Sequence, residues 1–117
     1  MDCIELAVGI LADALEVPVS TEHPRERPQT FVLVALVGDY SDEFMLRPRI
    51  GITVWGETDR AAHTLAMSCV DALRDASLDH PYLSAAQLET MSREEWTRTG
   101  QARYLVEMDL VINTDEE

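Results

Sequence analysis

Residues 44–73 read FMLRPRIGITVWGETDRAAHTLAMSCVDAL, and the hydrophobic period changes in the middle of the run. Phe44, Leu46, Ile50, Ile52 and Val54 share one face, while Arg47, Arg49 and Thr53 take the other, the period of two that an extended strand imposes. Pro48 interrupts this strand. Proline cannot donate to a ladder, so residues 44–47 are expected at a sheet edge or beyond the sheet. Gly51 is expected to mark a bulge. After Gly56 the spacing becomes helical: Ala62, Leu65, Ala66, Cys69, Val70 and Leu73 form one apolar face, with Thr58 or Asp59 as N-cap and an end near Ala76. A strand feeding an alanine-rich helix that packs close to a sheet sets the frame for the rest.

Upstream, residues 30–37 are apolar on both faces and rich in valine. They read as a strand covered on both sides, or covered on one and paired with a partner on the other. Gly38 to Glu43, with Asp39, Ser41 and Asp42, is the turn that joins the two strands into a hairpin. Residues 2–16 carry Ile4, Val8, Leu11 and Leu15 on one face, widened by Leu6, Ile10 and Ala14, and read as a helix that Pro18 stops. A short edge strand is expected at residues 17–21, and a polar connection at residues 20–29.

Downstream, residues 78–83 turn around His80-Pro81, residues 85–90 read as a strand, and residues 92–101 as a polar loop with Trp96. Residues 103–112 give the clearest strand: Tyr104, Val106, Met108, Leu110 and Ile112 alternate against Arg103, Glu107 and Asp109. The expectation is a single α+β domain over residues 1–117 with an acidic tail from about residue 113. An antiparallel or mixed sheet of about four to five strands carries two helices on one face, in the order α-β-β-β-α-β-β.

The charge narrows the partners. The chain has 117 residues and a formal net charge of −13, and all nine basic side chains are arginine. So acidic a domain repels a phosphate backbone, which excludes a groove that grips nucleic acid but not a wall past which DNA slides. No positively charged segment precedes an apolar run, so no signal peptide is read. No stretch approaches the ~20 apolar residues of a membrane span. The chain is therefore expected to be soluble in a reducing cytoplasm. Cys3 and Cys69 form no CxxC motif and are read as free buried thiols.

No catalytic, metal or cofactor site is read in the sequence. His23, His63 and His80 are scattered and read as surface or capping side chains. Only His63 has a potential ligand one turn away, Asp59, and two groups fall short of the three or four a zinc site uses. Phosphate-binding glycine loops, dinucleotide fingerprints and nucleophile elbows are missing. Cys69 sits on an apolar helix face, which raises a thiol pKa. Asp71 and Asp75 lie one turn apart on a solvated helix face. The interface-prone side chains are more telling. Trp55 is read as capping the core where the long strand meets the second helix. Phe44, Arg47, Arg49 and Trp96 are the candidate subunit or partner interface, since aromatic and arginine side chains dominate such contacts and the two strand arginines could meet acidic patches of a neighbouring copy.

The order of these elements resembles a known family. An N-terminal helix precedes VPVSTEHPRERPQTFVLV (residues 17–34), a proline-containing polar segment leading into a valine-rich strand. RPRIGITVWGETDRAAHTLAMSCVDAL (residues 47–73) and ARYLVEMDLVI (residues 102–112) complete it. This pattern is similar to the tail terminator and head–tail joining proteins of long-tailed phages and prophages, over residues 4–112. The resemblance implies an α+β fold that acts by assembly: a hexameric ring that caps the tail tube and forms the surface to which the head is joined. Its partners would be further copies of itself, the tail tube protein and the head-completion or neck protein, with DNA passing through the lumen without specific binding and no membrane. Its place would be the head-proximal end of the virion tail, and the host cytoplasm during assembly. A neck connector of the same virion is the nearest alternative. A small ligand-binding or enzymatic domain using His63 and Asp59, and an antitoxin or regulatory adaptor, are the alternatives of other classes.

Overall fold

A computed structural model of the chain describes residues 2–22, 30–43, 45–94 and 102–113. Among them, α1 spans Cys3–Ala14, β1 Val19–Ser20, β2 Phe31–Asp39, β3 Pro48–Gly56, α2 Asp59–Ala76, β4 Leu83–Glu94 and β5 Ala102–Ile112. The fold is α+β in the expected order, built on a five-stranded mixed sheet arranged β1-β2-β3-β5-β4. Only β1–β2 is parallel; every other pairing is antiparallel.

Local chemistry sets the helix ends. The Asp2 carboxylate caps α1, accepting from the backbone N–H of Ile4 at 2.9 Å and of Glu5 at 3.3 Å. Leu15 is already extended, with ψ 155°, so α1 stops at Ala14, two residues short of the expected end. Thr58 caps α2 through its hydroxyl, which accepts from Ala61 N–H at 3.0 Å. Each cap satisfies a donor that the first turn leaves without a helical partner.

Both helices lie on one face of the sheet. Val32, Val34, Ile50, Ile52, Val54, Val106, Met108, Leu110 and Ile112 meet Ala7 and Leu11 of α1, and Ala66, Cys69, Val70 and Leu73 of α2, in one buried cluster. Alanines at 7 and 66 let the helices lie close. The larger side chains each contribute about 1.5–3 kcal/mol by leaving water.

One expectation is met and two change. The long strand starts at Pro48, and residues 45–47 lie beyond it, as the proline led us to expect. Residues 45–47 belong to the hairpin loop, tied by Tyr40 N–H to Arg47 O at 2.8 Å and by Asp42 N–H to Met45 O at 3.0 Å, while Leu46 alone bridges to Ile112. The first change is that β4 runs on to Glu94 through residues assigned to a polar loop. β5 is long enough to pair with all of it, ending at Glu94 opposite Arg103, and an edge strand with one wet face carries polar side chains without cost. The second is that the bulge lies not at Gly51 but across from it, in β2: Leu36 pairs with Ile50 and Gly38 with Arg49, which leaves Val37 as the extra residue.

Candidate functional site

On the face of the sheet away from the helices, the chemistry divides along the strands. At one end, Phe31 and Trp55 are cross-strand partners whose rings stack at 4.4 Å with an interplanar angle of 8°. The Arg103 guanidinium lies over the Trp55 ring at 5.8 Å, and its Nη2 donates to Glu94 Oε1 at 2.8 Å. Trp55, read as capping the core near the start of α2, is buried, and its ring lies on the side of the sheet away from the helices, against Phe31. The parity of the strand explains this: Ile50, Ile52 and Val54 face the helices, so residue 55 faces away.

At the other end lies an open groove of about 460 Å³ lined by Tyr40, Arg47, Arg49, Gln87 and Asp109, among others. Arg49 Nε donates to Asp109 Oδ1 at 2.6 Å and Nη2 to Oδ2 at 2.9 Å, while Glu89 stands 3.8 Å away and the guanidinium lies 5.3 Å from the centre of the Tyr40 ring. This hydrogen-bonded guanidinium holds the Asp109 carboxyl below the usual carboxylate range. Asp109 in turn raises the pKa of Arg49. Between the two ends, Gly51 leaves room for Val37 and Leu105.

Of the four candidate interface residues, Arg47 and Arg49 line the same groove. Arg47 is exposed. Arg49 is engaged by Asp109 within its own chain. Phe44 and Trp96 lie outside the described residues, as does His23. Tyr40, Gln87 and Asp109 were not singled out from the sequence. Asp109 was assigned to the polar side of its strand, but pairing it with Arg49, 60 positions earlier, required the β3–β5 register.

The remaining polar candidates are held by local contacts. Asp59 pairs with Arg93 Nε at 3.1 Å, and the His63 ring meets Tyr104 edge-on at 5.3 Å. His80 Nδ1 accepts from Tyr82 N–H at 3.1 Å, a capping role. Among the described residues there is no group of three or more His, Cys, Asp and Glu side chains that could hold a metal ion, and no helix is long and apolar enough to cross a membrane. Burial pushes the Cys69 thiol up to about 12.

No family model and no curated protein matches the chain. A solved structure does. A chain of the virion of a native gene transfer agent (GTA) particle is similar with a TM-score of 0.67, over 93% of this chain and 90% of that one, at 17% sequence identity. At that identity the likeness establishes a shared fold, and it spans nearly the full length of both chains.

Proposed function

We propose that this protein is a component of a phage-like virion that works by packing against other protein chains and catalyses no reaction. The observation that carries this reading is the fold likeness to a chain of the GTA virion, which leaves almost no part of either chain over for a separate activity. The polar groups of the open face support it. Arg49 with Asp109, and Arg103 with Glu94, neutralise each other across strands, an arrangement that fixes register and complementarity better than it activates a substrate. The Cys69 thiol, with its pKa pushed to about 12, is no nucleophile at neutral pH.

Within the virion, we assign it the role of tail terminator: a hexameric ring on the head-proximal end of the tail tube that offers the joining surface for the neck. The order of elements from α1 to β5 supports this role. The net charge of −13 suits a lumen through which DNA slides without sticking. Electron microscopy of the purified protein mixed with tail tubes tests it. Density at one tube end, with growth of the tube stopped, is the expected result. Binding to heads in place of tube ends would move the assignment to a neck connector, and binding to neither would overturn it.

A further inference from the structure

Among the described residues the sheet has two unlike edges, and both are partly open. At one edge, among the described residues, β1 covers β2 at Val32 and Leu33 alone. Val32 N–H bonds to Pro18 O on that side at 2.9 Å. Main-chain groups alternate along a strand, so after the Val34 N–H, which the register aims at Ser20 C=O, the Val34 C=O and the N–H and C=O of Leu36 point outward past the end of β1. Around them, residues 33–38 read LVALVG, with no charge, no proline and no lysine, and Leu36 and Val37 are 49% and 50% exposed. Natural sheets guard open edges with charges, prolines or coverage; this stretch has no charge and no proline, and among the described residues none beyond β1 pairs with it.

At the opposite edge, β4 pairs with β5 alone among the described residues. Its first half, residues 83–88, reads LSAAQL and is also uncharged, whereas Glu89, Arg93 and Glu94 gather in the second half. The two neutral stretches lie at the same end of the sheet, since β2 enters the hairpin there and Leu83 pairs with Ile112 beside it. Strand direction alternates from β2 through β3 and β5 to β4, so β2 and β4 run in opposite senses.

We infer that copies of this chain join edge to edge, residues 83–88 of β4 in one copy pairing antiparallel with residues 34–38 of β2 in the next. Rotation about an axis roughly along the strands brings the two neutral stretches to the same level. It also places the charged half of β4 opposite the part of β2 that β1 covers. In a chain of net charge −13, contact between copies is least repulsive where neither side is charged. Bulges at Ser84 and Glu89 bound a regular run of Ala85 to Leu88, so the added ladder is short and Leu36 and Val37 supply its apolar contact. The interface is heterologous, and a heterologous contact closes into a ring when its rotation divides the circle. This inference rests on the ring reading above and names the surfaces that would form the ring.

Cysteine pairing tests it in a Cys3→Ala background, with buried Cys69 left in place. Ala35 and Ala85 are both exposed on the face away from the helices, and Leu36 and Ala86 both lie on the helix side. Ala35→Cys mixed with Ala85→Cys, or Leu36→Cys mixed with Ala86→Cys, is oxidised at high concentration, alone and with tail tubes. A disulfide-linked pair in at least one mixture and in neither single variant is expected, and a chain carrying both cysteines should give a ladder ending at the closed ring. A homodimer of either single variant, which signals a two-fold contact, or no mixed product under either condition, would overturn the inference. A ladder without density on tube ends would leave the edge contact standing and sink only the terminator role.

Discussion

Arg49 and Asp109 form a two-pronged ion pair across β3 and β5, at 2.6 and 2.9 Å, on the face of the sheet away from α1 and α2. The Asp109 carboxyl is held below its ordinary value chiefly by the hydrogen-bonding guanidinium. The unfolded chain therefore binds a proton at Asp109 at a pH where the native chain does not. The contribution to stability is complete above the ordinary carboxylate value and is lost as pH falls through the depressed one. Titration of the Asp109 side-chain carbon by NMR should give a midpoint below that of an ordinary aspartate. Arg49→Gln should return the midpoint to the ordinary range; a midpoint that does not move would show that the guanidinium is not the cause.

Gly56 ends β3 where α2 begins. A Cβ there would lie 2.6 Å from the backbone nitrogen of Ala62 and 2.9 Å from its Cα. Backbone inside a helix cannot step aside as a side-chain tip can, so Gly56→Ala must push the start of α2 off the sheet. The expected loss is about 3 kcal/mol, at the upper end of what overpacking costs. Urea unfolding followed by circular dichroism measures it, and a loss under about 1 kcal/mol would mean that the helix start yields freely.

The two cysteines should differ in reactivity. Burial raises both thiols above their usual value, Cys69 to about 12, while Cys3, half-buried beside Asp2, is raised less. Attack on a disulfide reagent needs the thiolate, which at pH 8 is scarce at Cys3 and essentially absent at Cys69. With Ellman's reagent at pH 8, Cys3 should react slowly and Cys69 only once the chain unfolds. Cys3→Ala should leave the native protein without a reacting thiol, whereas rapid release from that variant would show that α2 opens readily.

Much of this architecture is legible in the chain because its periods are clean. The alternation in β5 and in residues 50–54, and the helical spacing of Ala62, Ala66, Cys69, Val70 and Leu73, each appear without reference to any other segment. What escaped depends on pairing. The Val37 bulge and the Arg49–Asp109 pair exist only once β3 is registered against β2 and β5. The end of β4 was hidden for a related reason: its polar second half has no period of its own and is extended because β5 offers it a partner. Trp55 reads as buried, and the parity of its strand turns it away from the side on which Ile50, Ile52 and Val54 meet the helices. The candidate surface was half visible: Arg47 and Arg49 stood out as strand arginines, while the Tyr40 ring and the Asp109 carboxylate beside Arg49 come from segments that the fold alone brings together.

The bulge gives the most discriminating prediction, because it couples two residues on neighbouring strands. Val37, set apart from the ladder, leans across β3, and a Cβ on Gly51 would come within 2.9 Å of Val37 Cγ1 and 3.9 Å of Leu105 Cδ1. Gly51→Ala therefore forces Val37 to turn. Val37 is stiff at χ1 but half exposed, so the expected cost is about 1 kcal/mol, the low end of overpacking. Val37→Ala alone trims an exposed side chain and should shift stability by no more than about 0.5 kcal/mol. If the contact is the cause, Gly51→Ala should cost almost nothing in a Val37→Ala chain, and the double-mutant cycle should return a coupling of about 1 kcal/mol. Additive losses in urea unfolding would instead place the cost in the β3 backbone and leave Val37 free to pack elsewhere.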